Sequence, residues 1–83
     1  MPSQEIFVYG TFWCPDCARA KKAFAAKDVE YTWIDISKDK ESRNYVERVN
    51  GGARSVPTIV FPDGSTMVEP STAELYKKFN ELS

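Results

Sequence analysis

Cys14 and Cys17 are the only cysteines of the chain, and they stand one helical turn apart in Trp13-Cys14-Pro15-Asp16-Cys17. Two thiols so spaced can exchange with disulfides, share a metal, or lie inert in a core. Their position bears on the choice, because the pair falls where a run of strand formers hands over to a run of helix formers. Cys14 is therefore expected at the N-cap of a helix. There the unpaired N–H groups of the first turn and the positive end of the helix dipole favour a thiolate over a thiol. Cys17, one turn further on, faces inward and keeps its proton until needed. The pair reads as an exposed nucleophile with a sheltered resolving thiol. A zinc or iron–sulfur site takes about four ligands, so a metal here would need a second chain or an external thiol. That alternative is a metal- or cluster-carrying module dimerised through Cys14.

Other residues could assist. Trp13 either shields the sulfur and packs on a substrate or is a plain hydrophobic lid. Arg54 could offer a forked donor to a substrate carboxylate, or be a solvated loop residue. Lys21 and Lys22 read as a wet helix face with a mild positive potential. Asp35 is either a proton acceptor for Cys17 or a cap for the loop that follows it; loop-capping is the commoner role. Tyr76 and Phe79 read as core.

The rest of the composition narrows the field. The chain has no histidine, which removes Cys–His and Ser–His–Asp hydrolysis and the zinc sites built on imidazole. Eleven basic and twelve acidic residues leave a net charge of −1, without the basic excess of a nucleic-acid binder. At 42% hydrophobic and 13% aromatic, the chain is too apolar for disorder, and its length suits one small domain over residues 1–83. No run of eighteen apolar residues is present to span a membrane. Met1-Pro2-Ser3-Gln4-Glu5 has neither the basic nor the apolar region of a signal peptide. The expected compartment is the cytoplasm, where a lone cysteine pair is catalytic or metal-binding rather than structural.

Seven elements must position these residues. Residues 4–9 hold Ile6-Phe7-Val8-Tyr9, a central-strand pattern ended by Gly10. Pro15 to about Lys27 is rich in helix formers, with Pro15 suited to the first helical position and Asp28 ending the helix. Val29 to Ile36, dense in β-branched and aromatic residues, reads as a second strand. Ser37 is the expected N-cap of a helix running to about Asn50, with Tyr45, Val46 and Val49 as its apolar stripe and Gly51-Gly52 as its stop. Thr58 to Phe61 is a third strand, which Asp63-Gly64 turns into a fourth at Thr66 to Val68. Ser71 and Glu74 form a capping box opening a last helix. The order β-α-β-α-β-β-α implies a parallel crossover, an antiparallel hairpin and a mixed four-stranded sheet flanked by three helices.

The run Cys14-Pro15-Asp16-Cys17-Ala18-Arg19-Ala20-Lys21, with Phe24, Val29 and Tyr31 after it and Ser55-Val56-Pro57 downstream, resembles a glutaredoxin of the thioredoxin-fold superfamily. Trp13, Gly51-Gly52, Phe61-Pro62-Asp63-Gly64 and Pro70-Ser71 look most like its actinobacterial mycoredoxin-type branch. The resemblance implies an α/β thioredoxin fold and a thiol–disulfide oxidoreductase working through Cys14 and Cys17. It implies a cis Pro57 beside the thiols and a backbone at Val56 that pairs with substrate. Trp13, Pro15, Asp16, Arg54, Ser55 and Ser71 are the further implied substrate contacts. It also implies no bound cofactor and a low-molecular-weight thiol, mycothiol or glutathione, as co-substrate. The implied partners are disulfide-containing proteins and a flavin-dependent reductase, with the chain a monomer that engages neither nucleic acid nor membrane. A thioredoxin-like dithiol reductase recycled by a flavin enzyme is the alternative. Asp16 stands where typical glutaredoxins have tyrosine, and a carboxylate there opposes ionisation of Cys14 and repels anionic thiols. Glu69-Pro70-Ser71-Thr72 replaces the Gly-Gly-Cys-Asp-type stretch that holds the γ-glutamyl end of glutathione, which turns the expectation toward mycothiol or a protein disulfide.

Overall fold

In the computed structural model, which describes residues 5–82, the chain runs β1 (Phe7–Gly10), α1 (Pro15–Ala26), β2 (Thr32–Asp35), α2 (Lys40–Val49), β3 (Thr58–Val60), β4 (Thr66–Val68) and α3 (Thr72–Leu82). The strands form one mixed sheet in the order β2-β1-β3-β4. β1 lies parallel to β2, with Val8 beside Trp33, and antiparallel to β3, with Val8 beside Ile59. This is the β-α-β crossover and closing hairpin that the element order implies.

Side chains alternate across the pleat, and that alternation sorts the helices. Val8, Ile59 and Phe61 join Ala20, Ala23 and Phe24 of α1 and Leu75 and Phe79 of α3 in one buried cluster. The Phe24 and Phe79 rings lie 4.9 Å apart. Each such large side chain, fully buried, contributes about 1.5–3 kcal/mol. On the opposite face α2 buries Val46 and sets Tyr45 5.1 Å from Tyr9. Val49, expected in the α2 stripe, is exposed instead. The sheet-facing end of α2 is completed by Asn50, whose side-chain amide donates to Thr58 Oγ1 at 3.0 Å. Gly51 and Gly52 then take positive φ of 65° and 104°, which L side chains resist, and the Gly52 N–H returns to Glu47 O.

Three element starts move. The first strand begins at Phe7, with Glu5 and Ile6 ahead of it. The second strand starts at Thr32, not Val29, because the Val29 N–H closes α1 by donating to Phe24 O at 2.9 Å. Val29 and Tyr31 pack against the core from that turn. α2 starts at Lys40 behind Asp39, not behind Ser37. Ser37 is taken by Asp35, whose Oδ1 accepts its N–H at 2.9 Å and its hydroxyl at 2.6 Å. Gln4, the expected first residue of the first strand, and the leader reading of residues 1–4 lie outside the described residues. The capping box forms as expected, with the Ser71 N–H donating to Glu74 Oε1 at 2.8 Å and the Glu74 N–H to Ser71 Oγ at 3.1 Å. No helix among the described residues is long and apolar enough to cross a membrane.

Candidate active site

β1 ends at Gly10 and α1 begins at Pro15, so the four residues between them carry the chain from sheet to helix. The Cys14 N–H donates to Thr11 O at 3.3 Å, turning the backbone. Pro15 takes the first helical position, where its missing N–H costs nothing. Cys14 is the N-cap, with φ −87° and ψ 117°, and its sulfur accepts the Cys17 N–H at 3.3 Å. A sulfur thus does what a serine or aspartate oxygen does at other helix starts. On its other side the Cys14 thiol reaches Val56 O at 3.7 Å.

Cys14 is half-buried, whereas Cys17 is 1% exposed. Burial pushes the Cys17 thiol up to about 12, against a backbone hydrogen bond from Thr11 and the charge of Lys21, which pull it down. The inward thiol therefore keeps its proton, and half-buried Cys14 is the more accessible of the two.

The second wall of the site is the segment leading into β3. The Val56–Pro57 bond is cis, as the resemblance implies, and Pro57 is buried. Three contacts hold this loop against Cys14. The Thr58 hydroxyl donates to Ser55 O at 2.7 Å, Asn50 from the end of α2 donates to Thr58 Oγ1, and the Glu69 N–H donates to Pro57 O at 2.9 Å. The ends of α2 and β4 thereby fix where Val56 faces the sulfur.

The remaining expected contacts divide. Trp13 is 61% exposed beside Cys14, edge-on to Phe12 with ring centroids 4.9 Å apart. Phe12, not anticipated from the sequence, is more exposed still; an aromatic in a tight turn next to Trp13 was its available signal. Pro15 is exposed and Ser55 half-buried. Asp16 does not stand as a lone charge beside Cys14, because Arg19, one turn on, meets it at 2.7 Å. Arg54 pairs with Glu47 of α2. The Ser71 side chain is occupied in capping α3. Asp35 caps its loop through Ser37, and those hydrogen bonds hold its carboxyl below the usual carboxylate range. This is the loop-capping role and not that of a proton acceptor for Cys17.

Lys21 departs from the expected wet face. It is half-buried, with its ammonium 3.7 Å from the Trp33 ring centroid, while Lys22 beside it is exposed. Trp33 in turn closes on Gly10 from β2, on the same side as Cys17. The Thr11 hydroxyl, in the β1–α1 turn, is buried without a hydrogen-bond partner among the described residues. Trp33 reaches the thiols only through the strand pairing, which spacing along the chain does not display, whereas Thr11 adjoins them in the turn and Lys21 lies four residues from Cys17 on α1.

The glutaredoxin family model matches residues 6–65 of this chain. A Mycobacterium tuberculosis protein bearing the glutaredoxin name is 37% identical over 83 residues, all of this chain and 99% of its own length. Mycoredoxin 1 of Corynebacterium glutamicum is 36% identical over 78 residues, 94% of this chain and 96% of that one. The crystal structure of a glutaredoxin from Archaeoglobus fulgidus matches with a TM-score of 0.70 at 27% identity, over 89% of this chain and 84% of that one. The three helices and mixed four-stranded sheet are the thioredoxin fold of such structures.

Proposed function

Because the chain belongs to the glutaredoxin family and is a thiol–disulfide oxidoreductase, we propose that it reduces mixed disulfides between proteins and a low-molecular-weight thiol, mycothiol or glutathione. The observation carrying this is the seat of the Cys14 sulfur. It lies between the Cys17 N–H at the start of α1 and the Val56 carbonyl. A thiolate formed there meets helix-end donors on one side and an extended backbone segment on the other.

Cys14 attacks the thiol-derived sulfur of the mixed disulfide and expels the protein thiolate, which leaves with the electron pair and is protonated. The new disulfide on Cys14 is opened in one of two ways. A second molecule of the small thiol attacks it, giving a symmetric disulfide for a flavin-dependent reductase. Alternatively Cys17 attacks it, leaving a Cys14–Cys17 disulfide.

Val56 and Pro57 offer backbone to an extended substrate, and Phe12 and Trp13 offer an apolar wall. Pro15 and Ser55 flank the sulfur. Asp16 and Arg54 meet the substrate as parts of ion pairs with Arg19 and Glu47. Ser71 acts through the α3 cap. Glu69-Pro70-Ser71-Thr72 supplies no Gly-Gly-Cys-Asp-type stretch for a γ-glutamyl group, which favours mycothiol.

The test is turnover of a mycothiol-mixed and a glutathione-mixed disulfide by wild type and Cys17→Ser. Turnover of at least one, faster for mycothiol, is expected. A wild type that turns over neither would overturn the reading.

A further inference from the structure

We propose that Lys21 is a positioning residue for the second half of the exchange: its ammonium, held over the Trp33 ring whose tip shares the space over Gly10 with the buried Cys17 sulfur, stabilises the thiolate that opens the mixed disulfide on Cys14. The proposal rests on the exchange reading above and adds a residue to it.

Cys17 presents the difficulty. Its side chain is 1% exposed, and burial of a thiol opposes the charged form it must reach in order to attack. The space around its sulfur is tight. Gly10 contributes no side chain from β1, and Trp33 contributes an uncharged ring from β2. The β1–α1 turn contributes the Thr11 backbone and the Cys14 sulfur. α1 contributes Lys21, four residues on from Cys17 and hence on the same helix face. Two carboxylates border this region, Asp35 on β2 and Asp16 on α1. Asp16 pairs with Arg19. Asp35 is hydrogen-bonded by Ser37 and is also drawn down by the charges of Lys38 and Lys21, so Lys21 acts on this carboxylate as well as on the thiol.

A lysine on an exposed helix face moves freely and is screened by solvent. Lys21 is neither free nor fully solvated. Its ammonium sits 3.7 Å from the centroid of Trp33, a cation–π contact that fixes the charge over the ring. The tip of the same ring and the Cys17 sulfur share the space over Gly10. Trp33 is thus a shelf joining the cation to the thiol. Lys21 is also one of the two influences that draw the Cys17 thiol back down against burial, the other being the Thr11 backbone.

In the step itself, the Cys17 thiol gives up its proton and its sulfur attacks Cys14 Sγ. The S–S bond to the small thiol breaks, and that thiol leaves with the electron pair and takes up a proton. A Cys14–Cys17 disulfide remains: Cys17 is oxidised and the departing thiol reduced. Lys21 keeps its own proton throughout and supplies charge alone.

The test uses the reduced protein and 5,5′-dithiobis(2-nitrobenzoate) in stopped flow. Attack by Cys14 releases one thionitrobenzoate, and attack by Cys17 on the resulting mixed disulfide releases the second. Lys21→Met should slow the second phase about three- to tenfold more than the first. It should also displace the curve of log rate against pH upward by about half to one unit, the same effect expressed on the pH axis. Lys21→Arg should restore both, and Trp33→Leu should act in the direction of Lys21→Met. Urea unfolding of each variant reports that it is folded. A second phase that keeps the wild-type rate and pH curve in Lys21→Met would overturn the proposal alone. A wild type with no second phase would overturn exchange through Cys17 and the proposal with it.

Discussion

Cys17 and Trp33 converge on the bare backbone of Gly10. A methyl group built there would lie 2.6 Å from the Cys17 sulfur and 2.7 Å from the tip of the Trp33 ring, closer than packed atoms approach. The parallel register explains the meeting: Trp33 pairs with Val8, two residues before Gly10 and on the same face of β1. The last residue of β1 thus sets how deeply the inner thiol can sit, and the ring from β2 walls it in.

Gly10→Ala should therefore displace the sulfur, the ring or both. The expected cost is about 1–3 kcal/mol, the usual range for overpacking a dense site, read from urea unfolding of the reduced protein. Adding Trp33→Phe, which shortens the ring, should recover part of the loss. An unchanged unfolding midpoint in Gly10→Ala would show that the site yields without strain.

The fold was legible where a local signal and the sheet agree. Gly10 after an apolar run, Pro15 at a helix start, Asp63-Gly64 between strands and Ser71 with Glu74 each mark a boundary the structure keeps. It was illegible where two local signals compete. Ser37 and Asp39 are both good caps, and Asp35 decides between them by binding Ser37. Val29 is a strand former that the Phe24 carbonyl claims for the end of α1. The site divides in the same way. Cys14 and Cys17 stand out by spacing, Pro57 only through the family resemblance, and the Asp16–Arg19 pair was readable from its helical spacing. Lys21 was not, because only the pairing of β1 with β2 brings a ring beneath it.

Ser71 separates a structural role from a substrate contact. Its hydroxyl accepts the Glu74 N–H while its own N–H is taken by the Glu74 carboxylate. Ser71→Ala should cost about 1 kcal/mol of stability, as loss of an N-cap does, with kcat and KM for the mixed disulfide held. A rise in KM without a stability change would instead make Ser71 a substrate ligand.

Cys14→Ser should abolish exchange without unfolding the protein. Serine is itself a favoured N-cap, so its hydroxyl can take over the hydrogen bond from the Cys17 N–H while lacking a sulfur that exchanges. Thermal unfolding should stay close to wild type while mixed-disulfide turnover falls to background. Measurable turnover in the folded variant would move the nucleophile to Cys17.

Stability on the alkaline side should be governed in part by Cys17. Burial raises its thiol to about 12 in the folded chain, whereas an unfolded cysteine titrates near 8.5. Below about 8.5 both states hold the proton and the full contribution is present. As pH rises beyond that, the unfolded chain releases its proton while the folded chain retains it, so the equilibrium shifts toward unfolding until the folded thiol titrates as well. The fall approaches about 1.4 kcal/mol per pH unit and amounts to about 1.4 kcal/mol at pH 9.5. Tyr9 is raised too, by burial and by Tyr45 and Asp39, but its unfolded value near 10 keeps its contribution above this window. Urea midpoints of the reduced protein at pH 8 and pH 9.5 should therefore separate more in wild type than in Cys17→Ala. Equal separations would place the alkaline titration on another group.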